Sequence, residues 1–447
     1  MAGSALKVDG AATVFTVSCA SPGNCGAGGQ FAVKQGYGVG GQTFVVNEVN
    51  GRWGKAIEVP GTAELNVRGN AEVSSISCPG PGDCSAAGSF FTKPSPATSE
   101  GAFVVDEVNG KWGKATEVSG ANSANLGFDA SAYPISCASP GNCSAGGSYA
   151  NSSNSGFDRV FIVNEVNGKW KKATDVAGLP TLNSTWPTTV DSISCRSPGN
   201  CSAGGSYTTA GNQEAFVVNK INGKWGKAIE VPGTAALNTS HTAVMRSVSC
   251  ASPGNCSAGG SYTTAGNQEA FVVNEINGKW GKAIEVPGTA ALNLTGSASV
   301  NSISCASPGN CSAGGNFTNR IPSSTTSEAF LDNEVNGKWG KAIEVPGTAE
   351  INTGDHAMVN SISCTSPGSC TAGGNFSVHL PGAGGNAPHA FLINETAGRW
   401  GKAVEAPGTE IAGTIDSVSC ASPGNCSAGG NFTSHNTLQA YVDDSRS

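Results

Sequence analysis

Short stretches in which apolar and small polar residues alternate, separated by Pro-Gly and Asn-Gly pairs, recur along all 447 residues of the chain. Alternation with a period of two is typical of β-strands, and such pairs are typical of tight turns. In one such unit, strands are predicted at residues 300–305, 311–317, 329–334 and 339–345. Pro-Gly after the first strand favours a type II turn, and Asn336 with Gly337 favours the type I′ turn of a tight hairpin. The pattern therefore predicts four antiparallel strands per unit.

The unit is repeated eight times, and a pair of cysteines marks each copy. The first cysteine of each pair stands at positions 19, 78, 137, 195, 250, 305, 364 and 420, and residues 195–237 are almost identical to residues 250–292. Small residues fill the first two strands of each unit, whereas Phe, Val, Ile and Trp fill the last two. That gradient suits wedge-shaped blades that are crowded near an axis. The repeat predicts an all-β fold, an eight-bladed β-propeller of four-stranded antiparallel blades.

The last blade lacks one strand at the C-terminal end. Eight cysteine pairs accompany only seven turns of the type Asn-Gly-Xaa-Trp, and residues 3–10 match residues 54–61 in length and pattern. We therefore expect the N-terminal strand to close the last blade beside residues 439–443, so that residues 1–447 form one propeller domain and a monomer. The blades are predicted at approximately 13–65, 72–124, 131–184, 189–238, 244–293, 299–352, 358–411 and 414–446, the last with residues 1–11.

Composition excludes two classes of partner. Charged residues make up 13% of the chain, the net charge is −7, and no Lys/Arg cluster is visible in the sequence, which argues against nucleic acid. No apolar run is long enough to span a membrane. The N-terminal Met-Ala-Gly-Ser lacks the charged and apolar regions of a signal peptide, so a secreted protein would have lost its leader or would use another route.

The sixteen cysteines occur as eight pairs, each with five residues between the partners. Zinc ligands usually stand closer together and include His, so disulfides are favoured over a metal site or reduced structural thiols. Disulfides would join the first strand to the second and indicate an oxidising, extracellular environment. The predicted pairs are Cys19–Cys25, Cys78–Cys84, Cys137–Cys143, Cys195–Cys201, Cys250–Cys256, Cys305–Cys311, Cys364–Cys370 and Cys420–Cys426.

The two faces of the predicted ring differ in variability. The turns within hairpins are short and nearly invariant, whereas the loops on the other face vary, as at residues 92–100, 150–156 and 379–389. Ligands are expected on that variable face, because variable loops on a rigid scaffold usually carry function. An aromatic residue ends each second strand near it and could stack on a ligand or pack in the core. The candidates for ligand binding are Phe31, Tyr149, Tyr207, Tyr262, Phe317, Phe376 and Phe432, together with Trp186, which belongs to no repeat.

Other candidate chemistry is sparse. The tryptophan that opens each fourth strand, such as Trp280, is expected to pack between blades rather than to bind sugar. The five histidines, at 241, 356, 379, 389 and 435, lie in variable segments, where a metal or pH-sensitive site competes with plain solvent exposure. No catalytic motif is present, and eight similar blades favour multivalent binding over catalysis. We expect no enzyme activity, no cofactor and no metal.

The motifs Ser-Cys-Ala-Ser-Pro-Gly-Asn-Cys-Ser-Ala-Gly-Gly and Trp-Gly-Lys-Ala-Ile-Glu-Val-Pro-Gly-Thr-Ala resemble secreted actinobacterial β-propeller repeat proteins over the whole chain. The chain is also loosely similar to the lectin-like propeller component of streptomycete umbrella toxin particles. The resemblance implies a secreted, lectin-like module, and no ligand residues carry over from it. Two functions remain open: multivalent glycan binding, which gains avidity from repeated weak sites, and docking of a secreted protein within a larger assembly.

Overall fold

Eight antiparallel β-sheets follow one another along the chain in the computed structural model, and their first strands surround a common axis. The molecule is thus the eight-bladed, all-β propeller that the repeat predicts. The structure describes residues 10–35, 38–67, 69–91, 100–120, 130–150, 159–179, 188–209, 211–294, 296–321, 324–380, 385–409, 411–434 and 437–446.

Three long strands form the body of every blade. The first strands are Ala12–Ser21, Ala71–Gly80, Ala130–Ser139, Thr189–Ser197, Ala243–Ser252, Ser299–Ser307, Ala357–Ser366 and Gly413–Ser422. The second strands are Asn24–Gln35, Asp83–Phe91, Asn142–Tyr149, Asn200–Thr209, Asn255–Thr264, Asn310–Ile321, Ser369–Leu380 and Asn425–Ser434. The third strands are Gly38–Val49, Glu100–Val108, Arg159–Asn164, Asn212–Ile221, Asn267–Ile276, Ser324–Val335, Gly385–Thr396 and Thr437–Arg446.

The outer, fourth strand is broken rather than continuous, which the sequence did not predict. Its first segments are Arg52–Trp53, Lys111–Trp112, Lys224–Trp225, Lys279–Trp280, Lys338–Trp339 and Arg399–Trp400, with an isolated bridge at Trp170 in blade 3. Its second segments are Ile57–Glu58, Thr116–Glu117, Thr174–Asp175, Ile229–Glu230, Ile284–Glu285, Ile343–Glu344 and Val404–Glu405. The break arises because the Ala283 N–H turns to Pro232 of the preceding blade, 2.7 Å away.

In the part of the chain that the structure describes, four single-turn helices follow the outer strands of blades 1, 4, 5 and 6, at Thr62–Leu65, Thr234–Leu237, Thr289–Leu292 and Thr348–Ile351. Each begins after a glycine with positive φ in the repeated Pro-Gly pair, such as Gly288 at φ 91°. Among the described residues, no helix is long and apolar enough to cross a bilayer.

The first strands are joined around the axis by a closed circle of hydrogen bonds. In every seam the backbone N–H of the first cysteine of one blade donates to the Oγ of the serine that precedes the cysteine of the blade before it, at 2.9 to 3.0 Å. The bond from Cys19 to Ser419 closes the ring between blades 1 and 8. Residues 3–9 of the proposed N-terminal clasp lie outside the described residues, so the clasp stays a prediction.

The core lies between the blades rather than within them. Val272 of blade 5 packs with Ile303 and Phe330 of blade 6 in one cluster of fully buried residues, and equivalent clusters fill the other seams. Glycine allows the inner strands to approach closely: a Cβ at Gly260 would lie 1.9 Å from the carbonyl oxygen of Val244. The small residues of the inner strands therefore reflect the wedge shape of each blade.

All eight predicted disulfides are present, and they join the paired cysteines of the first and second strands. Asn336 and Gly337 have φ values of 51° and 79°, as the type I′ turn requires. Both predictions succeed because each depends on residues close together in sequence.

Candidate functional site: clefts between the blades

The two tight turns of each blade lie side by side on one face of the ring, which we call the turn face. In blade 5 the Gly278 N–H donates to Gly254 O at 2.8 Å, and the same bond recurs in blades 1 to 7. Gly254 has a φ of 71°, and a Cβ there would lie 2.8 Å from Gly278 N, so the position requires glycine. The two turns therefore form one rigid rim.

The repeated tryptophan holds neighbouring blades together just below this rim. Each indole Nε1–H donates to an Asn or Asp side chain on the third strand of the preceding blade, at 2.8 to 3.2 Å. The pairs are Trp53–Asp444, Trp112–Asn47, Trp170–Asp106, Trp225–Asn164, Trp280–Asn219, Trp339–Asn274 and Trp400–Asn333. This geometry agrees with packing between blades, although every ring remains half-exposed.

A buried glutamate completes the seam in most blades. Glu275, Glu334 and Glu395 are 2 to 3% exposed, and each accepts a hydrogen bond from the Nδ2 of the asparagine in the preceding blade. Burial raises the pKa of all three carboxyls. At Glu107 it raises the pKa to about 7. These side chains therefore hold a proton more readily than exposed glutamates do.

Not every seam has this arrangement, and Asp444 stands at the asparagine position in blade 8. Lys220 replaces the glutamate in blade 4, where its Nζ donates to Asn164 Oδ1 at 2.6 Å and to Ser144 Oγ at 3.2 Å. Between blades 2 and 3, Asp106 replaces the asparagine and therefore cannot donate to Glu165. Burial and the nearby Asp106 raise the pKa of Glu165 to about 7.

Three consecutive seams open on the turn face as clefts with volumes of about 220, 230 and 260 Å³. Each is lined by the same four positions: the Asn of the first turn, a Ser of the second strand, an apolar residue before the hairpin turn and the Glu of the next blade. These residues are Asn200, Ser202, Ile221 and Glu275; Asn255, Ser257, Ile276 and Glu334; and Asn310, Ser312, Val335 and Glu395. The clefts form a repeated site.

Some polar groups that line a cleft already make hydrogen bonds within the protein. Ser257 Oγ donates to Asn274 Oδ1 and lies 3.2 Å from Glu334 Oε2. In the cleft between blades 6 and 7, Glu395 Oε2 is buried without a hydrogen-bond partner among the described residues. The carboxyl of Glu395 is therefore less satisfied than those of Glu275 and Glu334, whose second oxygens each accept from a serine.

The predicted aromatic residues lie in the seams between blades, away from the clefts. Phe31, Tyr207, Tyr262, Phe317 and Phe376 are at most 9% exposed, while Tyr149 and Phe432 are half-buried. The Tyr149 hydroxyl donates to Asp175 Oδ1 at 2.6 Å. Their role in ligand binding stays a prediction, and burial of the first five rings favours packing instead.

The remaining sequence candidates lie mainly on the variable face. Trp186, His435 and most of the variable loops fall outside the described residues. His389 is largely buried, and its Nδ1 lies 2.5 Å from Glu405 Oε1, so it is part of a local contact. No group of three or more His, Cys, Asp or Glu side chains able to hold a metal occurs in the part of the chain that the structure describes. The cavities on the turn face were not anticipated from the sequence.

One position in the first strand was also missed. A register shift near the middle of each first strand leaves one residue out of the regular pairing, or two in blade 3, where Pro134 is also unpaired. The identity of the first unpaired residue varies around the ring, while most of its neighbours repeat. These residues are Phe15, Ser74, Tyr133, Asp191, Arg246, Asn301, Asn360 and Asp416. Burial raises the pKa of Asp191 and of Asp416 to about 6. When the eight repeats are aligned, these residues occupy one variable position in a strand that is otherwise similar in all repeats. That variation could have revealed them from the sequence.

No family model matches the chain, and no curated protein matches its sequence. Solved structures of the same fold do match. Sqt1 from Chaetomium thermophilum, bound to the N-terminus of the ribosomal protein L10, is 10% identical over 98% of both chains, with a TM-score of 0.52. An α-L-arabinanase from Penicillium chrysogenum is 10% identical over 70% of this chain and 92% of its own, with a TM-score of 0.37. An ulvan lyase is 10% identical over 99% of this chain and 96% of its own, with a TM-score of 0.41.

The fold corrects one expectation. The absence of a catalytic motif led us to expect no enzyme activity, yet a propeller of antiparallel blades is a fold compatible with enzymes. The inference was wrong because a propeller scaffold is compatible with catalysis, and a reaction depends on a few side chains rather than on the repeat. At 10% identity or less, the similarity itself shows the fold alone.

Proposed function

We propose that the chain is an extracellular recognition protein that binds glycans through the repeated clefts of its turn face. The observation that carries the proposal is that three consecutive seams present the same four lining positions in clefts of similar volume. The eight disulfides support an oxidising environment. The sequence motifs support membership of the secreted actinobacterial propeller proteins.

Glycans suit these clefts for chemical reasons. Amide, hydroxyl and carboxyl groups exchange hydrogen bonds with sugar hydroxyls, and the apolar lip of Ile276 or Val335 can contact the C–H face of a sugar ring. Drug-sized ligands need roughly 300–1,000 Å³, so each cleft has room for one small unit. Weak binding of single units then gains strength when a polymer or a cell surface engages several clefts together.

Docking of a secreted protein is the second candidate. Protein docking is favoured by the unpaired residues of the first strands, from Phe15 to Asp416. Because their identity differs from blade to blade, they make this region of the ring asymmetric. Sqt1, which has a similar fold, is a protein bound to the N-terminus of another protein.

Narrowing two clefts tests the first proposal. Ala251 and Ala306 line the clefts between blades 5 and 6 and between blades 6 and 7. On a glycan array, the double variant Ala251→Gln/Ala306→Gln should lose at least about tenfold in avidity for the hits of the parent protein, because long side chains fill two neighbouring sites.

The matched control is Ala236→Gln/Ala291→Gln, which makes the same changes at exposed positions of two single-turn helices. It should keep the parent avidity, and all variants should share the parent melting curve. Hits that survive narrowing of the clefts would place the glycan site elsewhere. An array without hits would favour protein docking.

A further inference from the structure

The basic residues of this acidic chain are concentrated on the outer wall. Fifteen of the 25 Lys and Arg residues lie in the fourth-strand regions of blades 1 to 7, and all fifteen are exposed. We call them the outer belt. They are Arg52, Lys55, Lys111, Lys114, Lys169, Lys171, Lys172, Lys224, Lys227, Lys279, Lys282, Lys338, Lys341, Arg399 and Lys402. The linear sequence hides this cluster because the pattern Lys-Trp-Gly-Lys places only two or three basic residues in each repeat.

Few belt residues are neutralised by the protein. Among the described residues, Lys114 pairs with Glu64 and Lys402 with Glu350, at 2.7 and 2.6 Å, and all four side chains are exposed. Lysine on an exposed edge strand also prevents pairing with another sheet. Prevention of edge pairing would explain the lysines alone. It does not explain why a cavity and an aromatic surface lie beside them on the outer wall.

The largest of the described cavities, about 480 Å³, is a groove on this wall between blades 5 and 6. It is lined by Trp339, by Ile276 and Ile284, and by Lys279, Lys282 and Lys338. The two isoleucines are 59% and 46% exposed, so the groove presents apolar surface to water. None of the three lysines pairs with a carboxylate in the described part of the chain.

The aromatic surface of the groove is fixed in advance. The Trp339 indole N–H is already bonded to Asn274 Oδ1 at 3.0 Å, and the ring packs against the core of the seam. Its half-exposed ring can therefore offer a ligand an apolar surface but no hydrogen-bond donor. A fixed ring loses little conformational entropy when a ligand binds.

We propose that the outer belt binds acidic polysaccharides, with uronate rings against the tryptophans and carboxylates paired with the flanking lysines. A uronate ring combines an apolar C–H face with one anionic group, which matches a groove of one indole, two aliphatic walls and three ammonium groups. The same residue types occupy the equivalent positions of blades 4 and 5, namely Ile221, Ile229, Trp280, Lys224 and Lys227. A polymer can therefore engage neighbouring repeats. A polymer with one charge per sugar is repelled less by a chain of net charge −7 than nucleic acid, whose charge is far denser.

Polygalacturonate and its fully methyl-esterified form are the probes, because they share a backbone and differ in charge. By isothermal titration calorimetry at about 20 mM NaCl, the parent should bind the acid form at least tenfold more tightly than the ester. Binding should weaken at about 150 mM NaCl, because salt screens exposed charges. Equal binding of the two forms, or no binding of either, overturns the proposal.

Matched variants locate the site. The triple variant Lys224→Gln/Lys279→Gln/Lys338→Gln should weaken polygalacturonate binding at least fivefold. The variant Arg159→Gln/Arg196→Gln/Arg246→Gln, which changes net charge equally away from the belt, should stay within twofold of the parent. An equal loss in both would show a general charge effect and overturn the assignment, as would tighter binding of single-stranded DNA than of polygalacturonate.

The groove adjoins one cleft and shares Ile276 with it, whereas Ala251 and Ala306 line the clefts and not the groove. The cleft variant Ala251→Gln/Ala306→Gln should bind polygalacturonate as the parent does, even if the array shows no neutral glycan. Loss of polygalacturonate binding in that variant would contradict a separate site on the outer wall.

Discussion

Asp332 stands where six other blades carry a branched apolar residue, such as Val273 in blade 5 and Ile393 in blade 7. It is 3% exposed, and neither carboxylate oxygen makes a hydrogen bond of good geometry, although the backbone N–H groups of Asn333 and Gly340 lie near. Burial raises its pKa to about 7. The folded protein therefore binds a proton that the unfolded chain releases near pH 4, and this residue lowers stability as pH rises between those values.

Replacing Asp332→Val should stabilise the protein, and more at pH 8 than at pH 5. We expect a gain in the free energy of unfolding of about 1–3 kcal/mol at pH 8, the usual cost of a poorly satisfied buried polar group. Urea denaturation at both pH values, with the disulfides intact, measures the gain. The reverse change, Val273→Asp, should destabilise the equivalent site of blade 5 most at pH 8. A gain that does not depend on pH would mean that packing, not ionisation, limits this position.

At the scale of strands and turns, the sequence predicts what depends on near neighbours. The sequence correctly predicted the Pro-Gly and Asn-Gly turns, the cysteine pairs and the long strands, because each of these features is determined by residues that are close together in the sequence. The break in the fourth strand was not, since it depends on the bond from Ala283 to Pro232 in another blade. The clefts and the outer belt were missed for the same reason: Glu395 meets Asn333 only when two blades pack together.

The seam between blades 2 and 3 provides the element-scale prediction. Four seams among the described residues place an Asn Nδ2–H against a Glu Oε1. Here Asp106 faces Glu165 instead, and burial raises the pKa of both carboxyls. Because both pKa values are raised, this seam loses stability as pH rises from about 4 to about 7. Asp106→Asn should restore the donor and raise stability by about 1–2 kcal/mol at pH 8, with a smaller gain at pH 5.

Calorimetric melting at the two pH values checks this change. Asn274→Asp creates the same carboxyl pair at the seam between blades 5 and 6, where Asn274 now donates to Glu334, and it should lower the melting temperature most at pH 8. If Asp106→Asn melts like the parent at pH 8, repulsion between the two carboxyls does not limit the stability of this seam.

At the scale of the whole molecule, seven seams lie between blades that follow one another in the sequence, and one joins the last blade to the first. This closing seam, between blade 8 and blade 1, repeats the bonds of the others. Val17 and Cys19 donate to Ser417 and Ser419 at 3.0 and 2.9 Å. In the seam between blades 6 and 7, Ile362 and Cys364 donate to Ser302 and Ser304 at the same two distances. The same hydrogen bonds therefore have different structural consequences in the two seams. Only those of the closing seam join the first blade of the linear array of repeats to the last.

Removing the same two hydroxyls from each seam should therefore have unequal effects. Ser302→Ala/Ser304→Ala leaves blades 6 and 7 tethered by the chain, so the seam can re-form after each opening. Ser417→Ala/Ser419→Ala weakens the seam whose long strands come from opposite ends of the described chain, and its opening separates blade 8 from blade 1. We expect hydrogen exchange in the first strands of blades 1 and 8 to rise at least about tenfold in the second variant, while the first variant changes exchange only near its own seam. Equal exchange in the two variants would show that the closing seam is held by other contacts, of which the N-terminal strand predicted at residues 3–10 is the first to test by deletion.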